Sequence, residues 1–381
     1  VKDTVRLGRI FGVPIGLNWS LLAIVALFAY GLAANRFPYD APGDSRELYA
    51  LAGALTALAL LVSVLLHELG HALVARRADM TVDGITLSWM GGVTRISGET
   101  DSPWREFAVA AVGPGISLAL GGILWGVRDL AGGLGAGNLL LAAVGWLAVI
   151  NVVLAAFNLI PAAPLDGGRI LHAGVWGLTR DRWKATKVSS RAGIGLAGLV
   201  LALGVYEVLI GAGDFDALII LVLGWWLLSA ARDEEQVAVI QHVLGGVPIH
   251  DVMRPVGAAP GWLSTDEFIA SYARARPGWV WMLERWGGGY SGLLSGDALL
   301  AGPMRWPGTR ADELAIPIEA AAPAEPDEEV LTAIERTGGR RILLAVEAGR
   351  TVGAVLPADI ETLLHARHRP VLGFAPPGVA S

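Results

Sequence analysis

Cysteine is absent, and that one absence excludes disulfides, thiolate metal sites and cysteine nucleophiles together. Any metal must be held by His, Asp or Glu. Charge is scarce as well: 17% of the 381 residues are Asp, Glu, Lys or Arg, against 54% hydrophobic. That balance is too apolar for an ordinary soluble enzyme and points to a membrane protein, with the lipid bilayer as its first partner. The net charge of -6 is mild, and no basic run is long enough to follow a phosphate backbone, which argues against a nucleic-acid partner. Nearly all the long uncharged runs precede residue 231, whereas charges and prolines become frequent afterwards. The two regions need separate readings.

A membrane helix needs roughly 20 mostly apolar residues to cross a hydrocarbon core ~30 Å thick. Windows of that kind fall near Leu17 to Ala34, Tyr49 to Ala75, Phe107 to Val127 and Asn138 to Ile160. Two weaker ones, Gly193 to Ile210 and Phe215 to Ala231, follow. The run from Ile10 to Asn35 superficially resembles a secretory signal, but its length and the lack of a convincing cleavage site mark it as a retained first span. The expected fold is a polytopic α-helical membrane protein of about six spans. Lys and Arg collect on the cytoplasmic side of such proteins. Here Lys2, Arg6 and Arg9 precede the first span, Arg76, Arg77, Arg95 and Arg105 follow the second, and a cluster from Arg169 to Arg191 follows the fourth. The other loops carry few cations, offset by acids. This alternation predicts that both termini are cytoplasmic.

The second span contains Leu66-His67-Glu68-Leu69-Gly70-His71, a HExxH pattern within a helix. At ~3.6 residues per turn, positions four apart share a face, so His67 and His71 can grip one metal while Glu68 reaches a metal-bound water as general base. The bland alternative is a fortuitous polar cluster at the end of an apolar helix. Ionisable groups inside a span are costly and by default mark function. Arg76 follows His67 by two and a half turns, which places the metal roughly 13 Å below the cytoplasmic surface.

A catalytic zinc usually has three protein ligands and one open position. The end of the fourth span, Phe157-Asn158-Leu159-Ile160-Pro161-Ala162-Ala163-Pro164-Leu165-Asp166-Gly167-Gly168-Arg169, offers Asp166 as its only carboxylate. The charge count puts it on the same side of the membrane as the HExxH end, so the two can meet. Taken alone, Asp166-Gly167-Gly168 reads first as a turn closing the fourth helix, with Asp capping the next; the HExxH within the second span is what favours the ligand role.

HELGH in one span and NLIPAAPLDGGR in a later one resemble the paired signatures of site-2 proteases, intramembrane zinc metalloproteases. Gly91-Gly92-Val93 resembles that family's hairpin loop and Gly113-Pro114-Gly115 its glycine-rich third span, so the likeness extends over residues 1–231. It implies one Zn2+ on His67, His71 and Asp166, Glu68 as the base, and Asn158 as a polar contact for substrate or a developing oxyanion. The other reading of Asn158 is a hydrogen bond to neighbouring backbone. The implied substrate is a single-span membrane protein, such as a membrane-tethered transcription factor or anti-sigma factor, in a bacterial cell membrane.

The segment Ile85 to Ile96 has β-rich composition around Gly91-Gly92 and predicts a hairpin. Cleaving a helical substrate requires local unwinding, and a free hairpin edge could accept the extended peptide by strand addition. A passive cover over the site is the alternative.

After Arg232-Asp233-Glu234-Glu235 the composition becomes that of a soluble α/β module with a weak internal repeat. Residues 232–246 are expected as a linker, 247–366 as two modules and 367–381 as a disordered tail. One module runs from Val247-Pro248-Ile249 to Gly296-Asp297, the other from Ile316-Pro317-Ile318 to Ala358-Asp359. They resemble tandem cystathionine-β-synthase-type (CBS) domains, which implies regulation, an adenine nucleotide as a ligand, and a homodimer formed through the pair. Asp297 comes one residue early, however, and Leu356 stands where such modules place Ser or Thr beside the ribose. Trp262, Trp279, Trp281, Trp286 and Trp306 crowd the first module. A CBS-regulated channel or transporter competes with the protease reading, but it has no use for Glu68 between the histidines, and no inverted repeat is evident. A non-haem iron oxygenase shares the ligand set of two His and one carboxylate, and a silent binding protein would not need the intact set.

Overall fold

A computed structural model describes residues 5–89, 91–97, 100–210, 215–301, 308–340 and 342–367. The expected tail from residue 368, together with Lys2, Met90, Asp214 and Trp306, lies outside the described residues. The chain divides into two compact units, Val1–Glu235 and Gln236–Ser381.

Five helices among the described residues are long and apolar enough to cross a membrane: α1 (Ser20–Asp40), α2 (Arg46–Arg77), α3 (Pro103–Gly133), α4 (Asn138–Asn158) and α6 (Arg182–Leu209). A short helix, α5 (Asp166–Thr179), separates the last two. The sixth expected span begins α7 (Phe215–Leu244), a helix that continues through the segment expected as a linker. Ser45 caps α2 by accepting from the Leu48 amide, and Arg76 and Arg77 occupy its last turn, where cations complement the helix dipole. The buried face of α2 includes Gly53, Ala57, Ser63 and Gly70. Small residues let neighbouring backbones approach closely.

The first span is shorter than the uncharged run suggested. Val5 to Leu17 are not helical: β1 (Val5–Ile10) and β2 (Val13–Leu17) form a hairpin. Its turn, Phe11-Gly12, has φ of 49° and 79°, the doubly positive pattern of a two-residue hairpin turn, which hydropathy does not register. The expected hairpin is present as β3 (Thr81–Ser88) and β4 (Gly91–Ser97), with Ile85 opposite Thr94. The four strands form one sheet in the order β1-β2-β3-β4. Arg76 at the end of α2 donates to the Phe11 carbonyl at 2.7 Å, tying the first hairpin to that helix.

In the second unit a seven-stranded sheet is built from two successive β-α-β-β-α passages. The first contains β5 (Arg254–Pro260), β6 (Val280–Glu284) and β7 (Tyr290–Ser295); the second contains β9 (Ala322–Ala324), β10 (Leu343–Glu347) and β11 (Arg350–Val355). The short strand β8 (Ile316–Pro317) pairs with β7, and β5 joins the passages by pairing with β11. Val247 and Ile249 pack in the core of the second passage, not the first. Trp281 is buried and Trp279 packs beside it, whereas Trp286 is exposed.

Candidate metal and catalytic centre

α2 presents His67 and His71 one turn apart on its buried face, each only 4% exposed. α5 brings Asp166 to them from 99 residues away. Asp166 is the first residue of that helix. Gly167 and Gly168 make its position possible, because a Cβ on either would run into the backbone of residues 159–163. Asp166 Oδ2 lies 3.2 Å from His67 Nε2 and 3.2 Å from His71 Nε2, and the two Nε2 atoms are themselves 3.2 Å apart.

These three atoms cannot all be satisfied by one another. His71 Nδ1 lies 2.6 Å from the Val109 carbonyl, which only accepts, so the proton of a neutral His71 is on Nδ1 and its Nε2 carries a lone pair. His67 Nδ1 lies 3.0 Å from Ser117 Oγ, a hydroxyl buried in α3 that can take the corresponding hydrogen bond. Two imidazole lone pairs and a carboxylate oxygen then converge without a donor among them, an arrangement that calls for a cation. Its size fits zinc: tetrahedral ligands with bonds of ~2.0–2.1 Å stand about 3.3 Å apart. Among the described residues this is the one group of three His, Asp or Glu side chains whose ligand atoms come within 4.8 Å of one another.

α3 forms the wall of the site. Gly113 lies directly against the imidazoles, with its hydrogen where any Cβ would collide with His71 Nε2 and stand 2.7 Å from His67 Nε2. On another side, β4 covers Glu68: Thr94 Oγ1 donates to Glu68 Oε2 at 2.6 Å. Asn158 ends α4, and its amide donates to the Leu154 carbonyl at 3.0 Å in its own helix. That bond uses one of the amide's two N–H groups.

Ser117, Thr94 and the Val109 carbonyl escaped sequence reasoning. A single Ser in an apolar span, a Thr in a strand and a backbone oxygen carry no signal of their own. In the sequence Gly113 reads only as part of the glycine-rich third span. In the second unit, Arg254 bridges the two carboxylates noted from the repeat, donating through Nη1 to Asp297 at 2.7 Å and through Nε to Asp359.

A family model described as peptidase family M50 matches residues 55–133 and 134–202. Over 369 residues the chain is 34% identical to Rip3 of Mycobacterium tuberculosis (strain H37Rv), a protein whose name assigns it to the zinc metalloproteases; 96% of this chain and 93% of that one are covered. Zinc metalloprotease MJ0392 of Methanocaldococcus jannaschii is 26% identical over 364 residues, covering 94% of this chain and 95% of that one. A solved structure, the site-2 protease from Methanocaldococcus jannaschii, aligns with a TM-score of 0.43 and 28% identity over 61% of this chain and 94% of that one.

Proposed function

We propose a reaction from one premise: the chain belongs to peptidase family M50, the site-2 protease family, and is a zinc metalloprotease. The reaction is hydrolysis of a peptide bond within or near the transmembrane helix of a membrane-protein substrate. The observation that carries this reading is the convergence of His67, His71 and Asp166 at 3.2 Å separations beside the Glu68 carboxylate.

His67, His71 and Asp166 would hold the metal, with the Val109 carbonyl and the Ser117 hydroxyl fixing the two rings from behind. Bound there, zinc supplies Lewis acidity that polarises the scissile carbonyl and acidifies a water. Glu68 removes the proton from the attacking water and delivers it to the leaving amine nitrogen. Because Thr94 occupies Oε2, the exchange takes place at Oε1. Asn158 contacts the substrate near the scissile carbonyl through its remaining N–H. The strand β4 lies at the edge of its sheet, and an unwound substrate segment pairs with it.

Both termini are cytoplasmic in a bacterial cell membrane, a topology supported by the Lys and Arg alternation. The second unit acts as a CBS pair that influences cleavage from the cytoplasm. Because Arg254 already engages both Asp297 and Asp359, substrate docking or dimerisation is a better route for that influence than a nucleotide ribose.

The test is co-expression of candidate single-span proteins, including anti-sigma factors and membrane-tethered transcription factors, with wild type and with Glu68→Gln. An uncut full-length form should accumulate only with the variant, while both proteins purify with about one zinc per chain. Equal processing by Glu68→Gln would remove the base assignment. Undiminished zinc in Asp166→Ala would remove Asp166 from the ligand set.

A further inference from the structure

We infer that Thr94 is a positioning residue for the reaction: its hydroxyl fixes the Glu68 carboxylate so that one oxygen is held and the other faces the reacting water. The inference rests on the base role proposed for Glu68.

The hydroxyl of Thr94 has one proton and two acceptors near it, Glu68 Oε2 at 2.6 Å and the Glu68 carbonyl oxygen at 3.3 Å. The carboxylate oxygen is the nearer acceptor, at the short end of the O–H···O range. The donor comes from a strand 26 residues away, so the contact is a product of the fold and not a local turn. Gly92, two residues earlier on β4, packs against the same side chain: a Cβ there would collide with Glu68 Cγ and lie 2.7 Å from Cδ. The strand thus confines the stem of Glu68 through Gly92 and its head group through Thr94.

Glutamate has several freely rotating bonds, and proton transfer requires its oxygen within hydrogen-bond reach of the proton it removes. His67 and His71 are pinned by partners on α3, but Glu68 lies beside β4 and needs a partner of its own. Thr94 supplies it. The metal should be indifferent to the loss of this bond, because Thr94 touches none of the three ligands.

The experiment compares Thr94→Val, which keeps the β-branched shape and removes the donor, with Thr94→Ser, which keeps the donor. The probe is the internally quenched peptide that wild type cuts fastest within a panel of Lys-flanked Leu/Ala segments of roughly 20 residues with a central Gly-Pro. Zinc-loaded Thr94→Val should lose on the order of 10- to 100-fold in kcat, with KM and zinc content unchanged, and Thr94→Ser should recover most of that loss. Infrared difference spectra, with Glu68→Gln subtracted to isolate the Glu68 carboxylate stretch, should show a shift in Thr94→Val and none in Thr94→Ser. Full kcat in Thr94→Val beside an inactive Glu68→Gln would overturn this proposal alone, whereas an active Glu68→Gln would overturn the base role and this proposal with it. Equal losses in the Val and Ser variants, loss of zinc in either, or an unshifted carboxylate band in Thr94→Val would show that Thr94 is only a packing residue and overturn the proposal.

Discussion

Gly113→Ala adds one methyl group and should disable the metal centre. The new Cβ would overlap His71 Nε2 and stand 2.7 Å from His67 Nε2, where ordinary contact begins at 3.4 Å. The neighbours are rings pinned by Val109 and Ser117, not the free ends of flexible chains, so one helix or both rings must retreat by about 0.7 Å or more. Metal–ligand distances tolerate only about 0.2 Å. Losing a single supporting hydrogen bond to a ligand typically costs 10- to 100-fold in affinity; displacing two ligands should exceed that, so zinc affinity is expected to fall by more than about 100-fold, or roughly 2.7 kcal/mol. Helix propensity works the other way, since Ala is favoured over Gly by about 1 kcal/mol in a helix interior. The variant should therefore still insert and purify. The assay is metal content by mass spectrometry, with zinc competition against a chromophoric chelator. Gly115→Ala is the control, because a Cβ there meets nothing within 4 Å. Wild-type zinc affinity in Gly113→Ala would refute the close approach of α3 to the imidazoles.

Accessibility tags inserted at Gly135 and after Arg180 should report opposite sides of the membrane, with Arg180 cytoplasmic; both on one side would mean that the spans were miscounted. A chain ending after Gly246 should keep its zinc and cleave the same substrate at an altered rate. ATP should change the full-length rate little, given the Arg254 bridge between Asp297 and Asp359. If truncation leaves rate, affinity and oligomeric state all unchanged, the second unit is a passive appendage.

The three side chains that converge at the candidate metal centre were legible in the sequence for different reasons. His67 and His71 announce themselves through helical periodicity, a local property. Asp166 required two long-range steps: the charge alternation that places both helix ends on one side, and the shortage of other carboxylates in its segment. The turn after the fourth span and a helix starting at Asp166 were both legible, but the paired glycines read only as turn residues, whereas Gly167 and Gly168 serve close backbone packing. The hairpin from Val5 to Leu17 was also absorbed into an apolar run. Hydropathy sums side chains and is blind to the positive φ angles of Phe11 and Gly12.

What the sequence hides are the groups that act on the site residues. Val109, Ser117, Gly113 and Thr94 lie far along the chain from the side chains they meet, and each is ordinary by composition: a backbone oxygen, two small hydroxyls and a missing Cβ. Their roles exist only after α2, α3 and β4 have packed. In an apolar environment with little water to stand in for a lost partner, such contacts are few and each is consequential. A site whose two histidines obey local spacing thus depends for its tautomers and shape on residues that obey none. Substitutions at Gly113 and Ser117 should therefore affect metal binding, and those at Thr94 the chemistry alone.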